Sequence, residues 1–378
     1  MEQALHLLLT CMNRIAIFFF ASVVLVSCSD EKSAQSLPPA TGSSGDMYLV
    51  MDSLQWEGPL GYLLDSVFNG EMRGLPREEG IFRTRWVDPR KLNFVLKQRR
   101  NLIFVTTLDG RGTGATILRK LYSPESLERI KTDTALFVTT QSDLFSNGQE
   151  VMFLFARTEE DLMLKVARHS TRLIEHFNKT EISRLSKSLM KSGRLKGMSG
   201  WLQQNYQADL LVPFGYKLVE RNPEFVWVRQ INARDDRDIF IARAPYTSQE
   251  QFTKENLIKF RNSVCQKYLF EDPDISDSYL VTETEVPFVP VDVRPVSFNG
   301  HYAVEVRGIW RTNNKSMGGP FVAFAMVDEG TQQFYYIEGF TFSPGREQRE
   351  IVRELEAILS TFRLSSEIPK AETEPVAP

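Results

Sequence analysis

The side chain with the clearest chemical role in the sequence is the thiol of Cys28. It ends the segment Leu25-Val26-Ser27-Cys28, which has the form of a lipobox, and residues 15–26 carry no charge. Ser27 is small enough for a signal-peptidase pocket, and Cys28 is placed to accept a diacylglyceryl group before cleavage. Residues 15–26 would span about 18 Å as a helix, short of the roughly 30 Å bilayer core, which indicates a leader rather than a transmembrane anchor. An ordinary secretory signal with an incidental cysteine is the alternative interpretation.

These features divide the amino-terminal region into a leader and a tether. We predict a lipoprotein signal peptide over residues 1–27, and the compact segment Met12-Asn13-Arg14 makes Met12 an alternative start. Residues 28–45 contain many Ser, Gly, Ala and Pro residues, which predicts a lipidated, flexible tether. A lipid on Cys28 would hold a water-soluble body at a membrane, so the membrane is the first expected partner.

A second group of residues could serve general acid-base chemistry. Alternation along a predicted strand places His301, Glu305 and Arg307 on one face, and Glu338 lies in another predicted strand. If these strands were neighbours, Glu305, Arg307 and Glu338 would form a polar row able to hydrolyse an envelope polymer. An arginine between two carboxylates is more often a cross-strand charge pair. The sequence therefore favours a protein that is not an enzyme, with no residue assigned as catalytic and an envelope-polymer hydrolase as the alternative.

Phosphate, metal and thiol chemistry have weaker support. Gly110-Arg111-Gly112-Thr113-Gly114 follows a predicted strand and could cradle a phosphate with backbone amides, but its spacing is not that of a nucleotide-binding motif, which favours a turn. His169 and His176 would lie about 10.5 Å apart along a helix, too far to bind one metal ion. Cys265 falls on the apolar side of a predicted helix, where we expect it to be buried and inert. No cofactor or metal is predicted.

The composition limits the classes of function. The sequence has 378 residues, of which 42% are hydrophobic and 25% are charged, which indicates a folded chain with two or three compact units. Lys and Arg total 45 against 48 Asp and Glu, so the net charge of −3 argues against a nucleic-acid partner. Three cysteines are too few for a disulfide framework.

One part of the chain is nonetheless basic. A predicted helix over residues 181–190 has cationic side chains in and around it: Lys179, Arg184, Lys187, Lys191, Arg194 and Lys196. This concentration could bind anionic lipid or lipopolysaccharide, but a helix with a solvated outer face has the same pattern, and that interpretation is favoured.

The order of predicted elements indicates an α+β protein with two α/β-type domains. In residues 46–205, strand-like and helix-like segments alternate, which predicts a mixed sheet with packed helices. In residues 206–364, long strands are gathered between helices, which predicts a mainly antiparallel sheet covered by those helices. Residues 365–378 are rich in Glu, Pro and Ala, which predicts a disordered tail.

Several short motifs accompany the lipobox, and together they resemble a family of uncharacterised Bacteroidota lipoproteins. The motifs are Leu211-Val212-Pro213-x-Gly215-Tyr216-x-Leu218, Phe225-Val226-Trp227-Val228-Arg229, Arg307-Gly308-x-Trp310, Met317-Gly318-Gly319-Pro320-Phe321 and Glu338-Gly339-Phe340. The order of the second half is similar to the Mog1/PsbP-like sandwich, and the acidic pair Asp30 and Glu31 resembles an export signal of Bacteroidota surface lipoproteins. The resemblance implies an outer-membrane lipoprotein on the periplasmic or cell-surface face. It assigns no catalytic or ligand residue. Binding of an envelope protein or glycan is instead predicted from the lipid anchor together with the lack of a convincing catalytic set of residues.

Overall fold

The computed structural model describes residues 37–270, 275, 278–286, 289–364 and 367. The predicted leader, Cys28, the first part of the tether and all of the predicted tail except Glu367 lie outside the described residues. Within the tether, Ala40 N–H donates to Asn147 O at 2.8 Å and Thr41 N–H donates to Gln98 O at 2.8 Å. The backbone from residue 39 onward therefore lies against the body of the protein, and the described residues from Pro39 form one compact unit.

The first sheet has the strand order β2-β1-β3-β5-β4. Its strands are β1 Asp46–Val50, β2 Arg83–Val87, β3 Asn101–Thr107, β4 Val138–Ser142 and β5 Glu150–Ala156. All adjacent pairs are parallel except β4 with β5, which is antiparallel at the edge. Every residue of β1 and β3 is buried, because helices and loops cover both faces, and the mixed sheet predicted for this half is confirmed.

Helices of the first half pack on both faces of that sheet. They are α1 Ser53–Trp56, α2 Pro59–Phe68, α3 Phe94–Lys97, α4 Thr113–Arg119, α5 Pro124–Thr132 and α6 Glu159–Leu189. Leu64 of α2 and Phe177 of α6 join Ile103 of β3 in one apolar core. Thr158 caps α6, and its hydroxyl accepts from Asp161 N–H at 3.2 Å. The sequence suggested a separate helix near residues 181–190, but α6 continues through it because no Gly or Pro interrupts residues 159–189.

The second sheet has the strand order β10-β12-β13-β14-β9-β8-β7, and β11 also pairs with β12. Its strands are β7 Lys217–Arg221, β8 Phe225–Ile231, β9 Asp236–Pro245, β10 Leu280–Thr282, β11 Asp292–Phe298, β12 His301–Thr312, β13 Gly318–Asp328 and β14 Gln333–Phe342. Two short strands, β6 Ala208–Asp209 and β15 Arg363–Leu364, pair beside it. All of these pairings are antiparallel, as predicted.

Helices cover the two faces of the second sheet. They are α7 Met198–Tyr206, α8 Lys254–Tyr268 and α9 Arg349–Leu359. Leu257 of α8 packs with Phe321 and Tyr336 on one face. Leu202 of α7 and Leu355 of α9 pack with residues of the opposite face. The α+β fold predicted from the sequence is therefore confirmed.

The strand β11 was not predicted. It contains Pro295, and a proline lacks the N–H that a central strand needs. In the structure β11 pairs with β12 alone, with Pro295 opposite Val304, so it occupies an edge where proline is tolerated. Among the residues that the structure describes, no helix combines the length and the apolar character needed to cross a bilayer.

Candidate functional site

The predicted row of Glu305, Arg307 and Glu338 does not form. Strand β13 lies between β12 and β14, so the strands that carry these residues are not neighbours. Glu305 pairs with Phe324, and Phe324 pairs with Ile337. The residue of β14 level with Glu305 is therefore Ile337, the neighbour of Glu338. Because side chains alternate along a strand, Glu305 and Glu338 point to opposite faces of the sheet.

Glu338 is enclosed beneath α8. Its Oε2 and Oε1 accept hydrogen bonds from Nε and Nη2 of Arg261 at 2.8 and 2.7 Å, and the Tyr336 hydroxyl donates to Oε2 at 3.0 Å. The Arg261 guanidinium lies 4.2 Å from the centre of the Phe321 ring. Burial raises the pKa of the Glu338 carboxyl. With no exposed surface, this carboxyl cannot contact a polymer substrate.

Glu305 is also held by arginines, on the other face. Its Oε1 accepts from Arg307 Nη2 at 2.8 Å and its Oε2 accepts from Arg73 Nη2 at 2.7 Å. Burial acts to raise the pKa of Glu305, but the two guanidinium groups outweigh it and lower that pKa to about 2. The carboxylate is thus ionised and fully engaged, which favours the charge-pair interpretation over acid-base catalysis.

His301 lies instead on a groove at the end of the second sheet, with a volume of about 840 Å³. The start of β12, the end of β13 and the turn that follows it form one side. The segment after β9 and the turn before α8 form the other. We call this feature the aromatic groove.

Three aromatic side chains give the aromatic groove its apolar surface. Phe252 meets Tyr302 edge to face, with 5.8 Å between ring centres, and lies 6.4 Å from the ring of Tyr246. Tyr302 is 63% exposed although it begins a long sheet strand. An exposed ring such as that of Tyr302 can stack on the apolar face of a ligand.

The polar rim of the aromatic groove is acidic. Asp328 is buried, and its Oδ1 accepts from Gly330 N–H at 3.0 Å while its Oδ2 has no hydrogen-bond partner among the described residues. Glu329 is exposed, and His301 Nε2 lies 3.2 Å from Glu367 Oε1. No Lys or Arg stands among the described residues that line the groove. The rim therefore offers hydrogen-bond acceptors to a ligand with several donors.

The glycine-rich segment before α4 is filled by the protein itself. The Asp52 carboxylate accepts from Leu54 N–H at 3.0 Å and from Ala115 N–H at 3.1 Å. A Cβ placed on Gly112 would lie 2.2 Å from both carboxylate oxygens of Asp52. The glycine thus makes room for an internal anion, and that carboxylate occupies the place where a phosphate would sit.

The remaining candidate residues have structural contacts. His176 Nε2 lies 2.7 Å from Glu150 Oε1, and the His169 ring stacks on Phe137 with 5.2 Å between centres. Cys265 is buried, as expected, and burial raises the pKa of its thiol to about 12. The described residues contain no group of His, Cys, Asp and Glu suited to hold a metal ion.

The sequence pattern indicates His301 but not the residues that face it across the groove. Tyr246 follows β9, Phe252 precedes α8 and Asp328 ends β13, so the sheet order brings them together from distant segments. Tyr302 was the one sequence signal for the groove, because it is an aromatic residue beside a histidine at the start of a strand.

Two family descriptions match this chain. Residues 196–361 match "Domain of unknown function (DUF4837)" and residues 40–190 match "Domain of unknown function (DUF8532)". No curated protein is matched by the sequence.

Solved structures share a distant likeness. The Ran-binding protein Mog1p of Saccharomyces cerevisiae is 7% identical, and the match covers 42% of this chain and 90% of that one with a TM-score of 0.28. The human StAR-related lipid transfer protein 5 is 10% identical, with 48% and 95% coverage and a TM-score of 0.21. By sequence, the chain is similar to two families, and both are described only as domains of unknown function.

Proposed function

We propose that this chain is a Bacteroidota lipoprotein, anchored in the outer membrane through Cys28, that binds an envelope ligand in the aromatic groove. The lipobox and the uncharged leader before it support the anchor. The binding role is supported by the difference between an open groove and the buried carboxylates. The aromatic groove is open and exposes Tyr302, whereas Glu305 and Glu338, the carboxylates considered for catalysis, are buried against arginines.

A glycan is the ligand class that suits the aromatic groove best. Its volume of about 840 Å³ falls within the range of roughly 300–1,000 Å³ found for sites that enclose small ligands. A sugar ring offers an apolar face to Tyr302 and Phe252 and hydroxyl donors to the exposed carboxylate of Glu329.

The glycan proposal is tested by isothermal titration calorimetry of the purified protein with soluble oligosaccharides released from the envelope. Tyr302→Ala should weaken binding about tenfold, because an aromatic contact contributes about 1.4 kcal/mol. Tyr62→Ala is the matched control, since Tyr62 is 79% exposed on α2, outside the groove. Equal affinities of the two variants, or no binding by the wild-type protein, would contradict the proposal.

Two further results would change the proposed ligand or the proposed function. Stoichiometric binding of one purified envelope protein that is lost in Tyr302→Ala would replace the glycan with a protein ligand at the same groove. Turnover of an envelope glycan that is lost in both Glu305→Gln and Glu338→Gln would restore the hydrolase alternative.

The anchor is tested separately in cells. Cys28→Ala should release the protein from membranes and abolish palmitate labelling, whereas Cys11→Ala should leave both unchanged because the lipobox is intact. Retention of Cys28→Ala at the membrane with unchanged labelling would contradict the lipoprotein assignment. Protease treatment of intact cells then distinguishes the surface from the periplasm.

A further inference from the structure

Exposed cations and an exposed phenylalanine lie in the region where the long helix α6 ends. We call this surface the basic face; besides Phe214 it comprises Lys187, Lys191, Arg194, Lys196 and Lys217. Phe214 is 70% exposed, in a chain that buries most of its large apolar side chains. The sequence pattern pointed to a basic helix but gave no role to Phe214 or Lys217.

Backbone pairing brings the two parts of the basic face together. Phe214 N–H donates to Gly193 O at 3.0 Å, Leu195 N–H donates to Val212 O at 2.9 Å, and Arg194 forms an antiparallel bridge with Pro213. The cations that follow α6 are thereby fixed beside Phe214. Lys217 is the first residue of β7, three residues after Phe214. It therefore lies at the end of β7 that is nearer to Phe214 in the chain.

The charges of the basic face are not neutralised by the protein. Earlier on α6, Lys165, Lys179 and Arg184 pair with acidic side chains of the same helix. Among the described residues, none of the basic-face cations forms an ion pair. Two acidic residues lie nearby. Glu354 lines a cleft with Phe214, but its carboxylate pairs with Arg237. Glu220 lies further along β7, three residues beyond Lys217.

We propose that the basic face docks on the headgroup phosphates of an anionic phospholipid bilayer, with Phe214 inserted at the boundary of the acyl chains. Clustered Lys and Arg are attracted to anionic lipid, and an aromatic side chain adds apolar contact at the membrane interface. Docking of this face would fix the orientation of the body above a membrane, which a flexible tether alone does not.

The charge requirement is tested by sedimentation with vesicles of phosphatidylcholine, with and without phosphatidylglycerol. The full chain carrying Cys28→Ala is used, so that no acyl anchor contributes. It should bind the anionic vesicles at least tenfold more tightly than the neutral ones, and added salt should weaken the binding because ions screen the attraction. Lys191→Glu, Arg194→Glu and Lys196→Glu combined should remove this preference.

A matched triple variant controls for net charge. Lys120→Glu, Lys254→Glu and Lys259→Glu combined change the charge by the same amount at exposed positions outside the basic face, and binding should remain within about threefold of the parent. Every protein in the series shares the same leader segment, so a difference between the triple variants arises from the altered positions.

The apolar requirement is tested with Phe214→Ser against Phe94→Ser. Both phenylalanines are strongly exposed, at 70% and 73%, so neither change should disturb folding. Phe214→Ser should weaken binding to anionic vesicles several-fold and Phe94→Ser should not. Equal loss in the two triple variants, no preference of the parent for anionic vesicles, or binding to lipopolysaccharide but not to phospholipid would overturn the proposal.

Discussion

Glu79 and Arg349 are separated by 270 residues, yet the Glu79 carboxylate accepts a hydrogen bond from the Arg349 backbone N–H at 2.9 Å. Its other oxygen accepts from the N–H of Gln348 at 2.7 Å. Gln348 precedes α9 and provides no side-chain cap, so a residue of the first half caps this helix. The negative charge also lies at the positive end of the helix dipole.

The Glu79 cap should contribute measurably to stability. We expect Glu79→Ala to lower the free energy of unfolding by about 1–2 kcal/mol, because two backbone donors lose their partner. Urea denaturation measures the change. Glu78→Ala is the control, since Glu78 is exposed and should shift the free energy by less than about 0.5 kcal/mol. Equal effects at the two positions would contradict the capping role.

The buried pair of Arg261 and Glu338 should be strongly coupled. Arg261→Met should cost about 3–5 kcal/mol, because it leaves a buried carboxylate without its cation. The double variant with Glu338→Gln should cost clearly less than the sum of the single changes, which a double-mutant cycle measures. The exposed pair Lys267 and Glu224 should show coupling near zero. Additive effects at the buried pair would rule out this coupling.

Asp238 should make stability depend on pH. It is buried beside Trp227, whose Nε1 donates to Oδ1 at 2.9 Å, and burial raises the pKa of the carboxyl from 3.8 to about 7. Between these values the folded protein binds more protons than the unfolded chain, so the Asp238 contribution to the free energy of unfolding falls as pH rises and is constant above a pH of about 7.

In the variant Asp238→Asn, the free energy of unfolding should not show the decrease with rising pH that Asp238 causes. Relative to the wild-type protein it should gain up to about 4 kcal/mol between acidic and slightly alkaline pH, the equivalent of the pKa difference. Denaturation at several pH values provides the measurement. Parallel pH profiles of the two proteins would show that Asp238 does not titrate in this window.

Gly112 should be intolerant of a side chain. Gly112→Ala would place a Cβ 2.2 Å from the Asp52 carboxylate oxygens, so we expect a loss of about 1–3 kcal/mol in the free energy of unfolding. Gly200→Ala in α7 meets no atom within 4 Å and should be neutral or slightly stabilising. The loss should be smaller when Gly112→Ala is combined with Asp52→Ala; an equal loss in both backgrounds would argue against this contact.

Local sequence patterns predicted the elements well where one signal dominated. The apolar run over residues 101–107 coincides with β3, and Pro59 stands at the first position of α2. Pairing between distant segments was not predictable in the same way. Glu305 and Glu338 would form a polar row only if their strands were neighbours. The position of β13 between those strands and its register with each of them decide the outcome, and alternation within a strand contains neither.

The site was only partly predictable for the same reason. His301 was identified from its own strand, while Tyr246 and Asp328 reach the groove through the pairing of β9 with β14 and of β14 with β13. The glycine-rich segment suggested a phosphate cradle as an alternative to the favoured turn. Its occupant, Asp52, lies about 60 positions earlier, so the motif alone could not reveal it.

The cap on α9 imposes an order on the assembly of the chain during synthesis. When Glu79 leaves the ribosome, the two amides it will bind have not yet been made, and the same is true of Arg353, whose guanidinium donates to Ile81 O at 2.6 Å. Residues 79–81 therefore remain hydrogen-bonded to water until nearly all of the described chain has been made. Closing so long a loop is slow, so these contacts form late, after the segments that pair locally.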